Sequence, residues 1–382
     1  MLELLIALFG LLTGILAGLF PGFHTNLIAV IVAGFHADVW LSCVFLVAVA
    51  VSRSIVDAVP TVFLGASDDV MALLPGHRLL KKGCGIEAVK FCVLGSILGI
   101  VASIMLVPLF IIVFPLLFSF LNPWLFWILL ALIAILLFRD SWWSFVIFFL
   151  AGILGVISLS SVREPLFPLL SGLFGASGLL FSLFSKVDIP SQVDTDVLKM
   201  RKLTLFLSVM TGVLAGSFVT LFPGIGPSQA AALVQVRMKS LRFLVLTGAL
   251  GTVDVVISLV TFFILGKARN GAVVIIEQLI GSISSSALWA LIAVACIAAG
   301  FSAIIALFAS KWYAKLIEFV DYSWISSAVL LFLLVMSFVL SGWLGVLVFI
   351  TASAVGLIAP LTNVSRSHAM GCLLLPTLLL LW

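Results

Sequence analysis

From Phe91 to Phe120 the chain carries no charged side chain, and from Pro123 to Phe138 it carries none either. Inside a bilayer such stretches must satisfy every backbone amide and carbonyl within the protein, which leaves spanning helices or a closed barrel. The apolarity is continuous rather than alternating, so a barrel is excluded. Trp142 to Ser158, Ala287 to Ala309 and Ala328 to Leu340 read the same way, and several of these runs reach the roughly 20 residues that a spanning helix needs. With 64% hydrophobic and 9% charged residues, against about 25% charged in soluble domains, the chain reads as an all-α polytopic membrane protein. Met1 to Leu19 has no basic n-region and reads as a first structural segment rather than a cleaved signal.

Two copies of one short motif interrupt this pattern, Leu19-Phe20-Pro21-Gly22-Phe23-His24-Thr25-Asn26 and Leu221-Phe222-Pro223-Gly224-Ile225-Gly226-Pro227-Ser228. Proline removes an amide donor and glycine costs backbone entropy, so each copy marks a broken membrane helix. Paired breaks in corresponding positions of two halves point to a transporter's binding site. Thr13-Gly14-x-Leu16-Ala17-Gly18 precedes the first break and Thr211-Gly212-x-Leu214-Ala215-Gly216 the second, there with four extra residues.

The polar stretch 186–202 separates two inverted-topology repeats. Residues 1–185 would hold a re-entrant hairpin (1–36) and five spans, and residues 203–382 a second hairpin (203–237) and five more, about ten transmembrane helices in all. The predicted spans are 40–59, 86–120, 123–138, 141–160 and 165–185, then 243–262, 284–310, 322–340, 343–360 and 368–382. Lys199, Arg201, Lys202, Arg237, Lys239 and Arg242 flank the second hairpin, whereas Glu3, His36 and Asp38 flank the first. By the positive-inside rule the second enters from the cytoplasm and the first from outside. Most of the nineteen basic residues then face the cytoplasm, with the linker, which accounts for the net charge of +4 without nucleic acid. A cell-membrane location follows.

At each hairpin tip a second arm starting just after the Pro-Gly would present unpaired amides and the positive end of a helix dipole, a natural seat for an anion. His24, Thr25 and Asn26 surround the first tip and Ser228 and Gln229 the second, while Pro21, Gly22, Pro223, Gly224 and Gly226 shape the turns. The bland alternative is a pair of kinks whose polar neighbours cap the breaks. Arg53 lies four residues before Asp57 in an apolar helix, so the two share a face. They either form a packing salt bridge or divide the work, Arg53 holding an anion and Asp57 taking part in ion coupling. Asp254 has no arginine four residues earlier and reads as an ion or proton site, or else as a capped carboxyl near a helix break. Na+ or H+ would be the coupling ion, with no cofactor and no metal site. His36 and His368 read as interface groups, Trp40, Trp124 and Trp343 as interface anchors, and the five cysteines as packing thiols. No nucleophile elbow or phosphate-binding loop is present, which argues against an enzyme or an ATP-driven pump.

At Pro21 to Asn26, Leu73-Leu74-Pro75-Gly76-His77-Arg78-Leu79-Leu80-Lys81-Lys82-Gly83, Phe222 to Ala231, Gly266-Lys267-Ala268-Arg269-Asn270-Gly271 and Met370 to Pro376, the sequence resembles the large membrane subunit of tripartite tricarboxylate transporters, the TctA family, and more closely its shorter archaeal-type members. The resemblance implies a permease moving a small anionic, carboxylate-bearing solute by ion-coupled alternating access. It also implies a small membrane subunit and an extracytoplasmic binding protein as partners. Inverted hairpins with Pro-Gly tips and an embedded arginine also look like polyprenyl-phosphate carriers, whose lipid phosphate would need a lateral opening to the bilayer.

Overall fold

The computed structural model describes residues 2–20, 25–34, 38–64, 76, 78–184, 190–194, 200–222, 227, 230–231, 240–319 and 322–381. Among these residues every regular element is helical, as internal pairing of backbone groups requires. Eight helical stretches are long and apolar enough to cross a bilayer, and shorter apolar helices accompany them. The chain is a multi-pass, all-α membrane protein.

In chain order the helices are α1 (Leu2–Leu19), α2 (Thr25–Gly34), α3 (Val39–Val56) and α4 (Ala58–Leu64), the last two separated only by Asp57 in helical geometry. Then come α5 (Gly85–Leu121), α6 (Leu125–Arg139), α7 (Trp143–Ser161) and α8 (Leu166–Leu170), which passes through a π turn into α9 (Ser177–Phe184). After residues 190–194 follow α10 (Lys202–Val219), α11 (Ser240–Leu265), α12 (Gly271–Ile280), α13 (Ser285–Phe319), α14 (Tyr322–Leu361) and α15 (Gly371–Leu381). The predicted segment 284–310 is longer in the structure, because Lys311 and Lys315 lie within α13 rather than ending it. The segments expected at 322–340 and 343–360 are joined in α14 by one non-helical residue, Gly342, at φ 64°. A Cβ on Gly345 would stand 2.7 Å from the Ser337 carbonyl, whereas eight residues of straight helix span about 12 Å. The chain therefore doubles back at Gly342.

Glycine contacts give the relative directions of the central helices. Gly10 meets Phe45 and Ala48, Gly14 meets Val49 and Ser52, and Gly18 meets Arg53 and Val56. α1 and α3 thus run side by side in the same direction, and Trp40 Nε1 donates to Glu3 Oε1 at 2.7 Å where both begin. The chain must return between them, and α2, ten residues long, rises only about 15 Å. α5 and α11 are likewise parallel. Gly95 is pressed against the Val245 carbonyl, Gly248 against that of Cys92, and Gly99 against Ala249. Small residues let these backbones approach, and across the seam Ser96 Oγ donates to Gly248 O at 3.0 Å and Thr252 Oγ1 to Ser96 O at 2.9 Å. A Cβ on Gly85, at the start of α5, would lie 3.3 Å from the Phe63 ring at the end of α4. α3 and α11 therefore run in opposite directions. They cross where Gly251 faces Ser54, an added Cβ standing 3.6 Å from the Ser54 Cβ.

One end of this bundle is stitched by the segment between the two halves. Val193 N donates to Gly83 O at 2.8 Å, and Gln192 accepts from Gly85 N at 2.8 Å while donating to Leu80 O at 3.1 Å. Asp194 holds Lys90 of α5 at 2.6 Å and Lys311 of α13 at 2.7 Å. These two ammonium groups, Lys311 first, hold the Asp194 carboxyl below the usual carboxylate range. A second, smaller apolar core joins α6, α7, the α8–α9 region, the latter half of α14 and α15. There Gly155 is pressed on the Cys372 carbonyl and Gly371 on that of Phe148.

His368 departs from its expected interface position. It is buried at 3% exposure, with Nε2 2.8 Å from Asp140 Oδ2, because the short 3-10 turn Arg366–Met370 tucks the ring under the α6–α7 connection, where a carboxylate meets it. Trp124 and Trp343 are exposed at helix ends. The cysteine thiols are free, three of them buried.

Candidate functional site

Among the described candidate spans, Val39–Leu64 (α3 with α4) and Leu241–Leu265 (α11) are the most enclosed, with 67% and 83% of their spanning windows buried. Most of their residues, such as Val47, Val49, Ile55, Leu250, Val253 and Ile257, are fully covered apolar side chains. Against that background a few positions stay partly accessible. Between the helix ends these include Arg53, Ser54 and Asp57 on α3 and the residue after it, and Gly248, Gly251 and Asp254 on α11, three residues apart and so on one face. The two accessible strips meet at the Ser54–Gly251 crossing. Ionised groups are expensive in a spanning helix and face polar interiors. Here Arg53, Asp57 and Asp254 all lie within about one helical turn of that crossing.

The end of α1, which precedes the first predicted tip in the chain, reaches this place. A Cβ on Gly18 would lie 3.1 Å from the Arg53 carbonyl and 2.9 Å from the Val56 Cβ, so only glycine lets the end of α1 reach that turn. On the far side of α1's end, Tyr313 Oη donates to Leu19 O at 2.8 Å, and its ring lies 6.2 Å from that of Phe63. α2 starts at Thr25, after Phe23 and His24 that follow the Pro-Gly, and its first amides have no carbonyl within the helix to pair with. In the second half α10 ends at Val219, with Gly216 against Val253 and Leu250 of α11. Ala230 and Ala231 beyond that tip are helical and fully buried.

Of the sequence-predicted residues, the structure places Arg53, Asp57 and Asp254 within about one helical turn of the Ser54–Gly251 crossing, and it places Thr25 at the start of α2. Pro21, Gly22, His24, Pro223, Gly224, Gly226, Ser228 and Gln229, with the side chain of Asn26, lie outside the described residues.

Asp254 has a partner that the sequence reading did not name. Asn270 Nδ2 donates to Asp254 Oδ2 at 2.7 Å, and one turn along α11 the buried Ser258 hydroxyl accepts from the amides of Arg269 and Asn270 at 2.9 and 2.8 Å. Ala268 N donates to Glu277 Oε2 at 2.7 Å. Burial pulls the Arg269 guanidinium below its ordinary range, opposed by Glu277. The signal for Asn270 was present: Gly266 to Gly271 stood out as a motif, and Asn before an apolar run is an N-cap pattern. Tyr313 and Ser258 left no comparable trace, since each is a lone polar residue whose partner lies on another element or across a turn. Among the described residues no group of three His, Cys, Asp or Glu side chains is arranged to hold a metal ion.

The sequence profile of the tripartite tricarboxylate transporter TctA family matches residues 4–371. The chain belongs to that family. This TctA member is therefore a transporter component, and the family is not one of enzymes. It is also similar to an uncharacterized protein of Methanocaldococcus jannaschii, 30% identical over 406 aligned positions that cover 99% of each chain. No solved structure matches it.

Proposed function

We propose that this TctA protein is a secondary active permease that carries a small carboxylate-bearing anion across the cell membrane by ion-coupled alternating access. The observation that carries the reading is that Arg53, Asp57 and Asp254 are partly accessible near the crossing of two largely buried membrane helices. An arginine in such a place suits an anion, since its planar donor fork matches a carboxylate. The carboxylate of Asp254 suits Na+ or H+ as the coupling ion. His24, Thr25, Asn26, Ser228 and Gln229 join the tip amides as anion ligands in this proposal, and Asp57 shares the coupling role.

The repeated architecture supports an inverted pair of repeats with re-entrant hairpins. α5 and α13 are 37 and 35 residues long, α1 pairs with α3 as α10 pairs with α11, and α2 is too short to span. The end that gathers Lys82, Lys90, Lys202, Lys311 and Lys315 faces the cytoplasm by the positive-inside rule. A small membrane subunit and an extracytoplasmic binding protein complete the system, as in the tripartite transporters of the family.

Thermal stability of the purified protein, titrated with citrate and other carboxylates and with a polyprenyl phosphate, tests the proposal. Stabilisation by carboxylates that disappears in Arg53→Ala is the expected result. Stabilisation by the lipid phosphate alone would assign the site to a lipid carrier instead, and no response to either class would remove the anion reading.

A further inference from the structure

Asn270 is a hydrogen-bonding group with one acceptor end and one donor end, and both ends are engaged. Its Oδ1 accepts from Ala272 N at 3.1 Å, capping α12, while its Nδ2 donates to Asp254 Oδ2 at 2.7 Å. The cap fixes the orientation of the amide, because a flipped amide would turn an N–H group toward the Ala272 N–H. The group that faces Asp254 is therefore a donor, and it binds an ionised carboxylate oxygen about twice as strongly as a neutral one. Protonating the carboxyl or neutralising it with a cation weakens the grip of α12 on α11.

What α12 touches gives that change somewhere to go. The helix packs on α3, which carries Arg53 and Asp57, and on α2, the helix that starts at Thr25 beyond the first Pro-Gly. The residues just before α12 are held as well, Arg269 and Asn270 by Ser258 of α11 and Ala268 by Glu277 of α12 itself. Charged groups on the elements around Asp254 are Arg53 and Asp57 on α3, Lys267, which lies over the Phe118 ring, and Arg269 in the α11–α12 connection, and Glu277 on α12; Arg242 at the start of α11 and those of α5, α10 and α13 sit toward the basic end.

We propose that Asn270 is a positioning residue that links the charge state of Asp254 to the first hairpin, with α12 as the element that carries the link from α11 to α2. The proposal rests on Asp254 being the coupling carboxylate. Occupation of the ion site and the posture of the anion-binding arm are then two readings of one hydrogen bond.

Hydrogen–deuterium exchange of the full-length protein in detergent tests this without any substrate. Peptides covering Thr25–Gly34 are followed at one pH in the wild type, Asp254→Asn, Asn270→Ser and the double variant. Serine still caps a helix but cannot reach Asp254 from that position, so a role for Asn270 confined to capping α12 predicts wild-type exchange in α2. The linkage predicts a several-fold faster exchange of α2 in each single variant and no further change when the two are combined. Unaltered α2 exchange in either single variant, or additive effects in the double variant, would overturn it. The wider transport reading fails separately, by absence of any carboxylate response in the wild type whatever the exchange data show.

Discussion

Placing an arginine at the centre of a membrane helix costs about 2.5–3.5 kcal/mol on insertion scales, so Arg53 in α3 asks for a return beyond packing. Arg53→Ala should be expressed and folded normally yet lose carboxylate-induced stabilisation altogether, as a thermal-shift titration will read. Tyr313 offers a subtler test. Its hydroxyl holds the last carbonyl of α1, Leu19 O, beside the first Pro-Gly, and a hydrogen bond of this kind contributes about 1 kcal/mol. Tyr313→Phe should lower the unfolding temperature slightly while weakening carboxylate affinity several-fold, measured by the same titration at varied ligand concentration. Arg53, Asp57 and Asp254 were legible in the sequence because a charge in an apolar run is conspicuous against a background that excludes it. Asn270 and Ser258 were not read as site residues, because their meaning depends on which carboxylate and which amides the fold sets within 3 Å of them. His368 was misread for a related reason: Asp140 is 228 positions away in the chain, and no local pattern announces that pair.

The elements repeat this division. Helix positions were legible to within a few residues except at 284–310, where α13 runs on to Phe319, since apolar length decides them, and the reversal at Gly342 agreed with the separate segments expected there. Which helices would lie against one another was not legible, because the contact motif is only a scatter of small residues. Once the partners are known, those residues explain themselves. Gly248 sits on the Cys92 carbonyl and Gly95 on that of Val245, while Gly300 in α13 has open space around its α-carbon. Gly248→Ala should therefore destabilise by about 1–3 kcal/mol or more, the cost of overpacking a tight contact. Gly300→Ala should be neutral or stabilise by up to about 1 kcal/mol through helix propensity. Thermal unfolding in detergent, followed side by side for the two variants, checks both directions at once.

At the scale of the whole molecule, the stretch between the halves does more than connect them. Asp194 ties α5 of the first half to α13 of the second through Lys90 and Lys311. Because its folded-state pKa lies below the unfolded one, its contribution is present in full above the ordinary aspartate value of about 3.9 and is lost as the pH falls through the depressed folded value. Asp194→Asn should thus melt at a lower temperature than the wild type at pH 7, with the difference shrinking on strong acidification. Partial exposure of the pair and high salt should both keep the effect modest. The linker's polarity was visible in the sequence, but the residues it would grip were not.

Ser54 and Gly251 meet with almost no side chain between them, so α3 and α11 touch like crossed rods resting on a small bearing. Tilting one rod against the other spreads their ends on one side of the contact and draws them together on the opposite side, as the blades and handles of scissors do. In the alternating access proposed above, a swing about this point, within about one helical turn of Arg53, Asp57 and Asp254, would present those charges to one compartment at a time and never to both.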